Sequence, residues 1–164
     1  MTLPLATRVA AVFASQAFVL GPAVAEFEPA LGRYLGGVHV VGVASGTDAL
    51  YLALRAAGIG PGDAVVTTPY SFAASATQIA RTGARPYFVD IEPDSFNVDP
   101  RRVARVLDEE CRRDGERLRA PGGEIVRAIL PVHLFGRPCA IDELATLARR
   151  HGLDVVEDAA QVIG

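Results

Sequence analysis

The segment Val155-Val156-Glu157-Asp158-Ala159-Ala160-Gln161 carries an acid at the end of an apolar run and follows it with two small residues that permit close approach. A carboxylate placed this way, Asp158, can hold a cationic heterocycle nitrogen; it can equally cap a helix or close a structural ion pair. A second candidate follows the apolar run Val38 to Val43. There Ala44-Ser45-Gly46-Thr47-Asp48-Ala49-Leu50 is a small-residue turn feeding straight into a helix. The free N–H groups and positive dipole end of that helix suit a phosphate, to which Thr47 adds a hydroxyl. The plainer reading is a Ser/Thr N-cap. The third candidate is Pro69-Tyr70-Ser71-Phe72, whose aromatics can stack on a planar ring or fill a core.

The elements needed to position these residues alternate along the chain. One helix ends near Gln16, and Gly21-Pro22 opens another toward Leu35, with Pro29 sitting badly inside it. Strands are predicted at Val38–Val43, Ala64–Thr67, Tyr87–Val89, Ile125–Val132 and Leu153–Glu157. Helices are predicted at Thr47–Ala57, Ser71–Thr82, from Asp99-Pro100 to about Arg112, and at Ile141–His151, the last stopped by Gly152. Residues 113–124 are polar and contain Pro121-Gly122-Gly123, so they read as an exposed loop. The fold class expected is α/β, a mostly parallel sheet with helices on both faces. Ligands of such sheets bind beyond the carboxyl ends of the strands, which is where all three candidates fall.

Composition closes off other classes. The 164 residues are half hydrophobic, so the chain is not disordered, and a net charge of −3 gives nucleic acid or an anionic membrane no general reason to bind. Arg101 to Arg119 holds seven arginines, but five acids interleave with them and no aromatic does, as on a solvated face. Cys111 and Cys139 stand apart, with no metal-type pairing to His39, His133 or His151, and read as free thiols. The uncharged run Val9 to Ala25 after Arg8 resembles a secretory signal. Gln16 and Gly21-Pro22 interrupt it, and a cytoplasmic location is expected instead. All sixteen basic residues are arginine, so only the amino terminus could form a Schiff base.

A phosphate cradle, a ring stacker and a counter-ion for a ring nitrogen, brought to one sheet edge, are together the needs of pyridoxal phosphate. At these residues the chain resembles the DegT/DnrJ/EryC1/StrS aminotransferases, within the fold-type I pyridoxal-phosphate enzymes. The resemblance is carried by Phe18–Phe27, Val43–Gly62, Pro69–Phe72, Val89–Pro100, Ile129–Gly136 and Val155–Gly164, in that order. It implies that Gly46 and Thr47 bind the cofactor phosphate, that Phe72 lies against the pyridine ring, that Asp158 pairs with the ring nitrogen and that Gln161 lies by the ring's hydroxyl edge. It further implies a nucleotide-linked keto sugar as substrate, an amino donor such as glutamate, and a homodimer.

In the family the Schiff-base lysine, a further serine on the phosphate and a small carboxy-terminal domain lie beyond the match to Val155–Gly164. The resemblance therefore implies a partial cofactor-binding large domain over 1–164, with amino-terminal helices at 1–36 and an α/β core at 37–164, inactive by itself and prone to self-association. A pyridoxal-phosphate sugar dehydratase of the same fold, or a non-catalytic fragment binding phosphate ligands or a partner, is the alternative.

Overall fold

Strand β1 (Asp63–Thr67) is buried along its whole length and sits between two parallel neighbours, β2 (Arg85–Phe88) and β5 (Ile125–Ile129). The structure is a computed structural model and describes residues 4–163. A short parallel strand, β6 (Asp154–Val155), pairs with β5 on its far side. Pro86, which cannot donate to a ladder, is tolerated because β2 is an edge strand among the described residues.

Side-chain alternation on β1 sorts the core into two layers. Ala64 and Val66 join Val103, Val106, Leu107 and Leu144 on one face, while Val65 joins Leu50, Leu54 and Ile79 on the other. On β5 the alternation skips. Ala64 pairs with Val126 but Val65 pairs with Ala128, so Arg127 is an extra residue, and Val126 and Ala128 go to opposite layers. The layers belong to helices α3 (Gly46–Ala56) and α4 (Ala73–Arg81) on one side, and α5 (Pro100–Arg105) and α6 (Ile141–His151) on the other. The architecture is therefore α/β with helices on both faces.

Local chemistry explains the helix bounds. The Ser45 hydroxyl accepts the Asp48 N–H to cap α3 (3.1 Å), and Leu50 and Leu54 form its buried stripe. On α6, Leu144, Ala148 and His151 face inward, acids occupy the first turn and bases the last, and Gly152 ends the helix at φ +69°.

Several sequence expectations need correction. Residues 113–124 are not an open loop: β3 (Arg112–Asp114) and β4 (Arg117–Arg119) form an antiparallel hairpin around Gly115, and Leu118 is buried in the core. This makes the sheet mixed, with a parallel centre and an antiparallel hairpin. Interspersed charge hid the single inward side chain that anchors the hairpin. The helix from Pro100 does not reach Arg112; it widens into a π-helical turn at Val106–Glu110 and stops before Cys111. The last strand is shorter than Leu153–Glu157, although an isolated bridge joins Val132 to Asp158 beyond it.

The chain divides into two compact units, one up to Val43 and the other Ala44–Ile163, which contains all the elements above except the first two helices. The first unit holds α1 (Leu5–Ser15) and α2 (Pro22–Tyr34). α2 continues through Pro29, and Gly32 lets the Val38 carbonyl pass too close for any Cβ. Val38–Val43, expected as a strand, joins no ladder among the described residues, and Val41 is 77% exposed. Its apolar pattern suits a strand, but a strand needs a ladder partner to satisfy its backbone. No helix among the described residues is long and apolar enough to cross a membrane.

His151 makes stability pH-dependent. Its ring is buried, and Nε2 lies 3.1 Å from Asp108 Oδ1 without hydrogen-bond alignment. Burial, opposed by Asp108 and aided by Arg150, holds the imidazole below its ordinary value of 6.5. The unfolded chain therefore takes up the proton first as pH falls, and stability is lost from about pH 6.5 downward to the depressed folded value. Urea midpoints measured between pH 8 and 5 should fall over this window, and His151→Gln should flatten the fall.

Candidate functional site

Helix α3 offers an unclaimed first turn. Ser45 Oγ takes the Asp48 N–H, and no protein acceptor among the described residues takes those of Gly46 and Thr47 or the Thr47 hydroxyl. Nothing stands within 4 Å of where a Cβ on Gly46 would be, so the approach is open.

The segments that follow β5 and β6 supply further residues, and the strand ends hold them in place. Val89 N–H donates to Thr67 O, and the Thr67 hydroxyl donates to Leu130 O at 2.8 Å, locking the strand ends together. Past β5, His133 N–H donates to Asp158 O and Asp158 N–H to Pro131 O, which extends the parallel pairing and holds the Asp158 backbone. Asp158 is only 9% exposed. Its Oδ2 accepts from the Ser75 hydroxyl at 2.8 Å and its Oδ1 from the Ala160 N–H at 3.3 Å. Both donors are neutral, and among the described residues no cation pairs with this carboxylate.

Phe72 is the N-cap residue of α4 and is 75% exposed, which excludes the core-aromatic reading. Tyr70 is also exposed, with its ring 5.9 Å from that of Phe96. Gln161 Oε1 accepts the Phe135 N–H, so its amide NH2 is left without a partner among the described residues. His133 Nδ1 accepts the Cys139 N–H at 2.9 Å, so Nε2 carries the proton and donates to Glu157. The Cys139 thiol, pushed up to about 11 by burial and then by the Glu157 charge, stays protonated and bonds Val132 O.

Gly46, Thr47, Phe72, Asp158 and Gln161, the five residues singled out in the sequence, all line one cleft of about 260 Å³. Leu50, Ala74, Val132 and Leu134 make its apolar lining. Ser71 and His133 also line the cleft, although sequence reasoning assigned neither a role there, and Ser75, behind Asp158, went unremarked. Ser75 had a legible signal, since it lies one turn beyond Phe72 and shares its helix face. Chemically, the cleft offers hydrogen-bond donors at one side, a carboxylate at another and an apolar, aromatic surface. It suits a planar molecule with an anionic arm and a basic ring nitrogen.

The profile of the DegT/DnrJ/EryC1/StrS aminotransferase family matches residues 4–164. The chain belongs to that family. A "pleiotropic regulatory protein" of Geobacillus stearothermophilus is 43% identical over 153 residues, 93% of this chain and 37% of that one. The dTDP-3-amino-3,4,6-trideoxy-alpha-D-glucose transaminase of Streptomyces venezuelae is 41% identical over 156 residues, 95% of this chain and 37% of that one. The DegT/DnrJ/EryC1/StrS-family chain thus spans 37% of the length of each of these relatives. Among solved structures, a family aminotransferase from Brucella abortus is 40% identical with a TM-score of 0.86, covering 97% of this chain and 40% of that one. NtdA of Bacillus subtilis, solved with bound cofactor PMP, is 32% identical with a TM-score of 0.83, covering 97% and 33%. The likeness to these structures identifies the α/β fold as that of the family's fold-type I enzymes.

Proposed function

We propose that the cleft holds pyridoxal phosphate, or its amine form pyridoxamine phosphate (PMP), for amino transfer to a nucleotide-linked keto sugar. The observation that carries this reading is Asp158: a buried carboxylate with neutral donors only, facing the same cleft as the unclaimed donors of α3. A buried anion is costly without a cation, and a protonated pyridine nitrogen is one. When bound, the cofactor supplies an electron-withdrawing ring that makes exchange of an amino group for a carbonyl possible.

The residues divide the binding task. Gly46 and Thr47 hold the phosphate through two N–H groups and a hydroxyl. Phe72 lies against the ring. Asp158 keeps a proton on the ring nitrogen. Gln161, its carbonyl engaged by Phe135, directs its amide donors to the ring's hydroxyl edge. None of the 164 residues is a lysine, so these contacts are non-covalent. The large domain read over 1–164 is then the part of the enzyme that grips the cofactor.

The sugar substrate is proposed by analogy with the Streptomyces venezuelae transaminase, and glutamate as amino donor from the family resemblance. A homodimer is part of the same proposal, supported by the exposed Phe72 and Phe135 at and beside the cleft, and sedimentation at micromolar concentration tests it. A cytoplasmic location fits the unpaired Cys111 and Cys139.

Titration with PMP, followed by its fluorescence, tests the cofactor reading. Saturable binding that inorganic phosphate displaces is the expected result. Binding that phosphate leaves unaffected, or none, would refute it.

A further inference from the structure

We propose that Ser75, supported by Ser71, is a positioning residue that aims the Asp158 carboxylate at a cationic ring nitrogen. The proposal rests on the cofactor reading above and extends it to two hydroxyls outside the set of direct ligands named there.

Ser75 is 1% exposed and lies on α4, 83 positions from the carboxylate to which it bonds. Proton counting fixes the direction of the contacts. A carboxylate brings no proton, so the Ser75 hydroxyl gives its only one to Asp158 Oδ2 across 2.8 Å. Ser71 Oγ is 3.0 Å from Ser75 Oγ, and with the Ser75 proton already committed, Ser71 must be the donor there. The result is a one-way relay from Ser71 through Ser75 to Asp158, in which each bond polarises the next.

The carboxylate is held at both oxygens, by Ser75 on one and Ala160 N–H on the other. Its plane is therefore set before any ligand arrives, and each oxygen keeps a lone pair. Asp158 could satisfy itself in other ways if it were free to rotate. Pinning it by neutral donors keeps its orientation without cancelling its charge, as a lysine or arginine partner would do. The same helix places Phe72 one turn before Ser75, so one rigid element sets both the stacking ring and the carboxylate's aim.

A buried hydroxyl could instead only tie α4 to the sheet edge, and the test must separate the two roles. PMP labelled with ¹⁵N at the ring nitrogen is titrated into the unaltered chain, Ser75→Ala, Ser71→Ala, Asp158→Asn and the Ser75→Ala/Asp158→Asn double variant, with thermal melting of each. Ser75→Ala should weaken PMP binding about tenfold and move the ring ¹⁵N resonance toward its neutral position. Ser71→Ala, at a less buried site, should do the same to a smaller extent. In the Asp158→Asn background, Ser75→Ala should change affinity less than about twofold, because its target is gone.

Two results would overturn the proposal: Ser75→Ala lowering the melting temperature while leaving affinity and the ¹⁵N resonance unchanged, or its effect persisting in full without Asp158. If the unaltered chain does not bind PMP, the cofactor reading itself fails and the role of Ser75 falls with it, a result distinct from either of these.

Discussion

Leu54→Ala should lower the unfolding free energy by about 3 kcal/mol, within the range of about 2–5 kcal/mol for truncating a fully buried leucine. Leu54 has no exposure and packs with Leu50, Ile59, Val65, Ile79, Ala128 and Leu130. That group joins α3, α4, β1 and β5, the elements that carry the cleft. Truncation forfeits the transfer energy of the lost carbons and leaves a void that strands on one side and a helix on the other cannot both fill. For a domain stable by about 5–15 kcal/mol this is a large fraction. Urea unfolding measures it, with an unchanged slope as the sign that the denatured state is unaffected. Leu52→Ala is the control, because Leu52 is on the same helix but half exposed and should change stability by no more than about 0.5 kcal/mol. Equal effects of the two would mean that α3 does not pack on the sheet as described.

The second large effect is on ligand binding. Asp158→Asn should weaken PMP about 10- to 100-fold, since an asparagine oxygen still accepts a hydrogen bond but supplies no charge to a pyridinium. Inorganic phosphate, which in the proposed mode meets only the start of α3, should bind the variant as before. Thr47→Ala should do the reverse in kind, weakening phosphate and PMP together. This split is informative because the two positions lie 111 residues apart in the chain and, in the proposed binding mode, act on opposite ends of one small molecule. Equal affinity of Asp158→Asn and unaltered chain for PMP, measured by fluorescence titration, would remove Asp158 from the site.

Much of this arrangement was legible in the sequence because its signals are local. Ser45 before Leu50 and Leu54 announces a capped amphipathic helix, and Gly152 after a basic turn announces a helix end. The apolar runs gave β1 and β5 for the same reason, and the candidate residues were sought after the runs ending at Val43, Thr67 and Glu157, of which Val38–Val43 pairs with no strand among the described residues. What stayed hidden depends on contacts distant in sequence. The Arg127 bulge appears only when β5 is registered against β1. The hairpin at Arg112–Arg119 is anchored by Leu118, one apolar residue among charges. Val38–Val43 has the composition of a strand, but composition cannot supply the neighbour that a ladder requires. At the site, Asp158 was conspicuous as an acid closing an apolar run, whereas Ser75 gains its meaning only from a carboxylate 83 positions away.

The most direct measurement is a crystal structure of the chain soaked with PMP. The expected density places the phosphate on the Gly46 and Thr47 N–H groups, the ring against Phe72 and the ring nitrogen within hydrogen-bond distance of Asp158. Density for PMP elsewhere, such as the arginine-lined cleft of Arg85, Arg102 and Arg105, with the Asp158 cleft holding only solvent, would contradict the assignment of this site.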